Sequence, residues 1–168
     1  MSTSDRLLLI LHIGFAIFTL GPLTAATMAT PRYIRRRDPR VLRYLNRATR
    51  IYGLGALGIF LFGLFLAGGR FDEVWLSASM TLFIVALVLL VIVERDQRKA
   101  IHRVEVAVAE DRTVAAEEAA RPHHEGAEQG TAAEAGNVAQ VERGRIAAIS
   151  GVVALLWLVI LVLMVWNG

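Results

Sequence analysis

The feature that most constrains this chain is four long stretches with no Asp, Glu, Lys or Arg: Leu7 to Thr30, Ile51 to Gly68, Trp75 to Val93 and Ile146 to Trp166. Crossing about 30 Å of hydrocarbon takes roughly 20 apolar residues at about 1.5 Å per residue. A soluble helix of this length would show a charged face. These blocks show none, so the expected fold is all-α: a four-helix transmembrane bundle in a single membrane domain, residues 1–168. The spans are expected near 7–30, 51–68, 75–93 and 146–166, with intervening loops 31–50 and 94–145.

Charge orients the spans. The first loop carries Arg32, Arg35, Arg36, Arg37, Arg40, Arg43, Arg47 and Arg50 against Asp38 alone. Basic residues in short loops mark the cytoplasmic side. The turn "GGRFDEV" sets one Arg against Asp72 and Glu73, which fits the opposite side. Arg95, Arg98, Lys99 and Arg103 follow the third span, and Arg143 and Arg145 precede the fourth. Both ends of the long loop therefore read as cytoplasmic, and both termini as outside. Trp75 and Trp166 fall at the expected outer interface, with Tyr33 and Tyr52 at the inner one, as amphipathic rings favour. The first span has some features of a signal peptide. Cleavage would strand the arginine segment on the wrong side, so the span is read as retained.

Because the basic residues flank spans, topology explains the high isoelectric point without nucleic acid. The arginines Arg32, Arg35, Arg36, Arg37, Arg40 and Arg43 are placed to meet lipid headgroups as well. Of the 18 basic residues only Lys99 is lysine. With the many alanines, that bias suggests a bacterial chain of the cytoplasmic membrane. The absence of cysteine excludes disulfides, thiolate metal sites and cysteine nucleophiles.

Small residues four apart let helices approach closely in lipid. Gly21, Ala25 and Ala29 show this spacing in the first span, Gly63 and Ala67 in the second, and Ala147 and Gly151 in the fourth. Pro22 is expected to kink the first helix. The segment "ERDQRKAIHRVEVAVAEDRTVAAEEAA" lacks Gly and Pro, so the third helix is expected to continue as a cytoplasmic extension. "RPHHEGAEQGTAAEAGN" then reads as a loop.

His12 is the ionisable group within a span, which makes it a functional candidate by default. Met80 lies at similar depth counted from the same side, and Met164 is near the end of the fourth span. Imidazole with thioether suits haem iron or Cu(I). The structural alternative is a neutral histidine hydrogen-bonded between helices. No other span holds a histidine, which excludes a bis-histidine haem within one chain. His123, His124, Glu125 and Glu128 resemble a metal cluster, but adjacent loop histidines are more often solvated. No phosphate loop, nucleophile elbow or intramembrane carboxylate supports a kinase, a hydrolase or a charged transport pathway.

"LHIGFAIFTLGP", "RRRDPRVLRYLNRATRIYGLGALGIFLFGLFLAGG", "FDEVWL" and "LVLMVWNG" together resemble the bacterial predicted integral membrane proteins of a family of unknown function. The resemblance implies a four-span architecture and no defined activity. A looser likeness extends to copper-resistance D-type membrane proteins and to membrane-bound, haem-associated protoporphyrinogen oxidases, through His12. The oxidases are expected to carry an intramembrane lysine, which this chain lacks. The expected role is non-enzymatic: an accessory subunit bound to another membrane protein, or a self-associating one. A haem or copper protein using His12 is the alternative.

Overall fold

The computed structural model describes residues 3–69, 72–120 and 131–167. The described residues form four helices: α1 (Thr3–Arg35), α2 (Pro39–Ala67), α3 (Val74–Ala120) and α4 (Thr131–Asn167). Each is long and apolar enough to cross a membrane. The fold is an all-α bundle with the build of a multi-pass membrane protein.

The segment between the first two spans is far more ordered than a loop. α1 runs on to Arg35 and α2 begins at Pro39, so almost all of 31–50 is helix. The reversal is local chemistry. Arg37 takes a left-handed conformation (φ 49°). Its N–H donates to the Ile34 carbonyl and that of Asp38 to the Tyr33 carbonyl, the pair of bonds that closes a helix end. Asp38 then caps α2, accepting from the N–H groups of Arg40 and Val41 at 3.1 and 3.2 Å, and Pro39 opens the helix. The Arg-Asp-Pro triplet is thus a stop followed by a start. At the other end of α2, Gly68 (φ 56°) donates to Phe65 O and closes the helix.

Chain order gives an up-down-up-down bundle. The closest pairings are α1 with α2 and α3 with α4; α2 packs on α3 and α1 on α4. The start of α1, the end of α2, the start of α3 and the end of α4 share one end, called here the terminal end. The α1–α2 turn lies at the arm end. The interior is built on one repeat. On α3 the inward seam is Leu76, Ser79, Phe83, Ala86, Leu90, Val93, Gln97, Ala100 and Val104, alternating three and four apart, with Asp96 buried beside it. On α4, among the described residues, it is Ile146, Ser150, Val153, Trp157 and Ile160. This 3.5-residue period keeps one seam facing inward along the length of the helices. The opposite faces carry Ile10, Phe18, Leu54, Val88 and Leu158, all well exposed, and form the apolar belt that a bilayer covers.

The α3 seam does not stop at the span. Val93, Ala100 and Val104 join Ile34, Leu42 and Ile146 in a second apolar cluster at the arm end. From Glu94 to Ala120 the helix continues about 40 Å, at about 1.5 Å per residue.

Candidate functional site

Two polar clusters interrupt the apolar seam, one at each end. At the arm end the side chains answer one another. Asn46 Nδ2 donates to Gln97 Oε1 and to the Glu94 carbonyl, each at 3.3 Å. Gln97 Nε2 donates to Thr30 Oγ1 at 2.7 Å, and Thr30 donates to the Ala26 carbonyl at 2.9 Å. This relay links α2, α3 and α1. Gln97 and Thr30 are each 1% exposed, so the bonds are shielded from water and polarise one another. Beside it, Asp96 of α3 is clamped by Arg145 of α4 through Nε at 3.0 Å and through Nη2. The Asp96 side chain is buried and that of Arg145 half-exposed, so the guanidinium keeps part of its hydration while it neutralises a carboxylate that has lost its own.

The terminal end is different. His12 Nδ1 lies 2.9 Å from the carbonyl oxygen of Ile59. A carbonyl can only accept, so Nδ1 carries the proton. In the neutral ring, Nε2 is then left with a free lone pair. The ring comes this close to α2 because residue 63 is glycine: a Cβ there would sit 3.1 Å from His12 Cε1. His12 lines a cavity of about 30 Å³ together with Ser79, Met80 and Met164, the remaining wall being apolar. Ser79 is 1% exposed and its hydroxyl has no hydrogen-bond partner among the described residues. Three helices supply these groups: His12 from α1, Ser79 and Met80 from α3, Met164 from α4.

The residues singled out from sequence divide accordingly. His12, Met80 and Met164 are brought to one cavity. That volume leaves room for a small ion or water. Gly63 faces His12 and Ala67 is buried. Gly21, Ala25 and Ala147 instead face outward, Ala29 and Gly151 are half-buried, and a Cβ on Gly21 or Gly151 would meet nothing within 4 Å. Within the chain the close-approach glycines are on α2. A Cβ at Gly55 would crowd Thr19 (3.0 Å), one at Gly58 would crowd Phe15 (2.9 Å), and one at Gly53 would crowd Leu90 (3.1 Å). The run "GLGALG" was the available signal: three glycines on a short stretch of one helix.

Arg32, Arg35, Arg36, Arg37, Arg40 and Arg43 are all exposed around the α1–α2 turn. Arg37 pairs with Asp111 at 2.9 Å and Arg43 with Glu105 at 3.5 Å, which ties the turn to α3. Arg36 lies over the Tyr33 ring. The segment with His123, His124, Glu125 and Glu128 lies outside the described residues. Among the described residues no group of three or more His, Cys, Asp or Glu is placed to hold a metal.

Compared with protein-family models, curated proteins and solved structures, the chain matches none.

Proposed function

We propose that this chain is a non-enzymatic protein of a bacterial cytoplasmic membrane that works by association, either as an accessory subunit bound to another membrane protein or with a second copy of itself. Both termini lie outside in this reading, and the α3 arm projects into the cytoplasm beside the arginine-rich turn. The resemblance to four-span integral membrane proteins of unknown function belongs to the same proposal.

The observation that carries it is the bracing of the arm. A bare linker between two spans needs neither a core nor cross-ties. Here the span-side half of the arm has an apolar cluster of its own, a relay through Gln97, the Asp96–Arg145 clamp and two ion pairs to the α1–α2 turn. Helix held in this way presents its far end, past Asp111, at a fixed distance from the bilayer. Outward-facing Gly21, Ala25 and Ala147 support contact with a further helix within the membrane.

The test is chemical cross-linking in native membranes, followed by purification of the full chain in mild detergent. A discrete cross-linked species is expected, either a dimer or a stoichiometric partner. It should weaken when Glu110, Arg112 and Glu117, all exposed on the arm, are changed together to alanine. A strictly monomeric, partner-free chain would remove the proposal. Orientation is read separately. The chain has no cysteine, so single cysteines at Asp72 and Asn167 should label from outside, and one at Glu110 only after permeabilisation.

A further inference from the structure

We propose that the cavity at the terminal end of the bundle is a binding site for one Cu(I) ion, held by His12 Nε2 and the thioether sulfurs of Met80 and Met164. Four observations converge on it. The Nδ1–H···O=C bond to Ile59 fixes the tautomer and leaves Nε2 as a lone-pair donor, the arrangement in which a metal-bound imidazole is usually held. Gly63 lets the ring seat against the α2 backbone while it still borders the cavity. The cavity, about 30 Å³ and partly open, has room for a small ion or a water or two. Ser79 Oγ is a buried hydroxyl at the same cavity with no partner among the described residues, so the cavity holds polar capacity that the protein itself leaves unused.

The donor set selects the ion. One imidazole and two thioethers are neutral donors with soft sulfur, and among the described residues no carboxylate lines the cavity. Thioether sulfur favours Cu(I) over hard cations. A neutral cage also carries a single positive charge at much lower desolvation cost than a double one. Zn(II), which prefers thiolate, imidazole and carboxylate, has two poor ligands here. Because the donors come from α1, α3 and α4, a bound ion would tie three helices together at the terminal end of the bundle. The site stands independently of whether the arm docks a partner.

The experiment titrates Cu(I) into the detergent-purified full chain under ascorbate, against a chromogenic Cu(I) chelator. One equivalent per chain is expected, with a rise in the thermal unfolding midpoint and an X-ray absorption edge fitted by one nitrogen and two sulfur neighbours. Met80→Leu and Met164→Leu keep side-chain volume and should fold, as circular dichroism and gel filtration would show. Each should weaken Cu(I) by at least about tenfold, in line with the 10–100-fold losses seen even for groups that only support metal ligands. His12→Phe should abolish binding, and the His123→Ala/His124→Ala double variant should leave it unchanged. Three results would each overturn the proposal: no stoichiometric Cu(I) in the parent chain, meaning that the cavity holds at most water; undiminished binding in the Met80→Leu/Met164→Leu chain; or displacement of Cu(I) by a tenfold excess of Zn(II).

Discussion

The two ends of the bundle solve the same problem in opposite ways. Both place polar residues on the 3.5-residue seam where an apolar side chain would pack. At the arm end every such group in the relay finds a partner on another helix, or a backbone carbonyl, and the buried carboxylate of Asp96 meets a guanidinium. At the terminal end His12 makes one bond to a backbone oxygen, Ser79 makes none, and a cavity lies between them. A satisfied polar cluster rigidifies. An unsatisfied one costs about 1–3 kcal/mol per buried group and calls for another explanation. Thr49 and Ser150 toward the arm end are also buried without a side-chain partner among the described residues, so the contrast lies in the engaged relay and clamp at one end and the cavity beside His12 and Ser79 at the other.

The sharpest way to break the contrast is at Asp96. Arg145→Ala strands a carboxylate that is 2% exposed. The expected loss is about 3 kcal/mol, toward the low end for a broken buried pair because water can approach from the half-exposed Arg145 side. Chemical or thermal unfolding in detergent reads it. Asp96→Asn combined with Arg145→Met should recover most of that loss, since removing both charges removes the need for either. If the double change is as damaging as the single one, the pair is not the origin of the effect.

A second pair of changes separates glycines that touch from glycines that do not. Gly63→Ala pushes a methyl against the His12 ring and is expected to cost about 1 kcal/mol, the small end of overpacking. Gly21→Ala meets nothing within 4 Å and should be neutral or stabilising by up to about 1 kcal/mol through helix propensity alone. Equal effects at the two sites would mean that the His12–Ile59 contact does not constrain α2.

Smaller effects are expected where polar groups have nothing to lose. Ser150 and Thr49 are buried with no side-chain hydrogen bond among the described residues. Ser150→Ala is expected to be neutral or to stabilise by up to about 1 kcal/mol, since it removes a buried hydroxyl that gains nothing in return. Unfolding midpoints of Ser150→Ala and Arg145→Ala, measured side by side, rank a silent polar residue against an engaged one. The smallest effect belongs to Arg37→Ala. Its pair with Asp111 is largely exposed, with side chains 50% and 67% accessible, and such pairs contribute under about 0.5 kcal/mol. That change should instead loosen the arm, seen as faster amide exchange around Asp111.

How far the sequence could be read differs by residue. The charge-free blocks located all four spans, because exclusion of charge from hydrocarbon leaves a mark that no packing detail can erase. The arm after Glu94 was legible from a long run of helix formers. The first loop was not. Its arginines read as an inter-span segment, whereas the Schellman-type stop at Arg37 and the Asp38 cap compress the break to three residues. His12 stood out as the ionisable residue in a span, and depth counting placed Met80 beside it. Ser79 did not stand out, since a serine in a span is common and its lack of a partner is visible only in three dimensions. Nor did Gln97, Asn46 and Thr30, which lie at separate span ends and become one relay only when α1, α2 and α3 pack.

By itself, then, the sequence determined what is set by partition between water and hydrocarbon: four apolar spans and the charged segments between them. Partition acts on each segment independently, so it can be read segment by segment. The tertiary structure alone decided which face of each helix turns inward. Within an apolar span nearly every face is hydrophobic and no periodic signal survives. Small steric facts, a missing Cβ at Gly55, Gly58 and Gly63 above all, select the seam, and with it whether His12 meets lipid or a cavity.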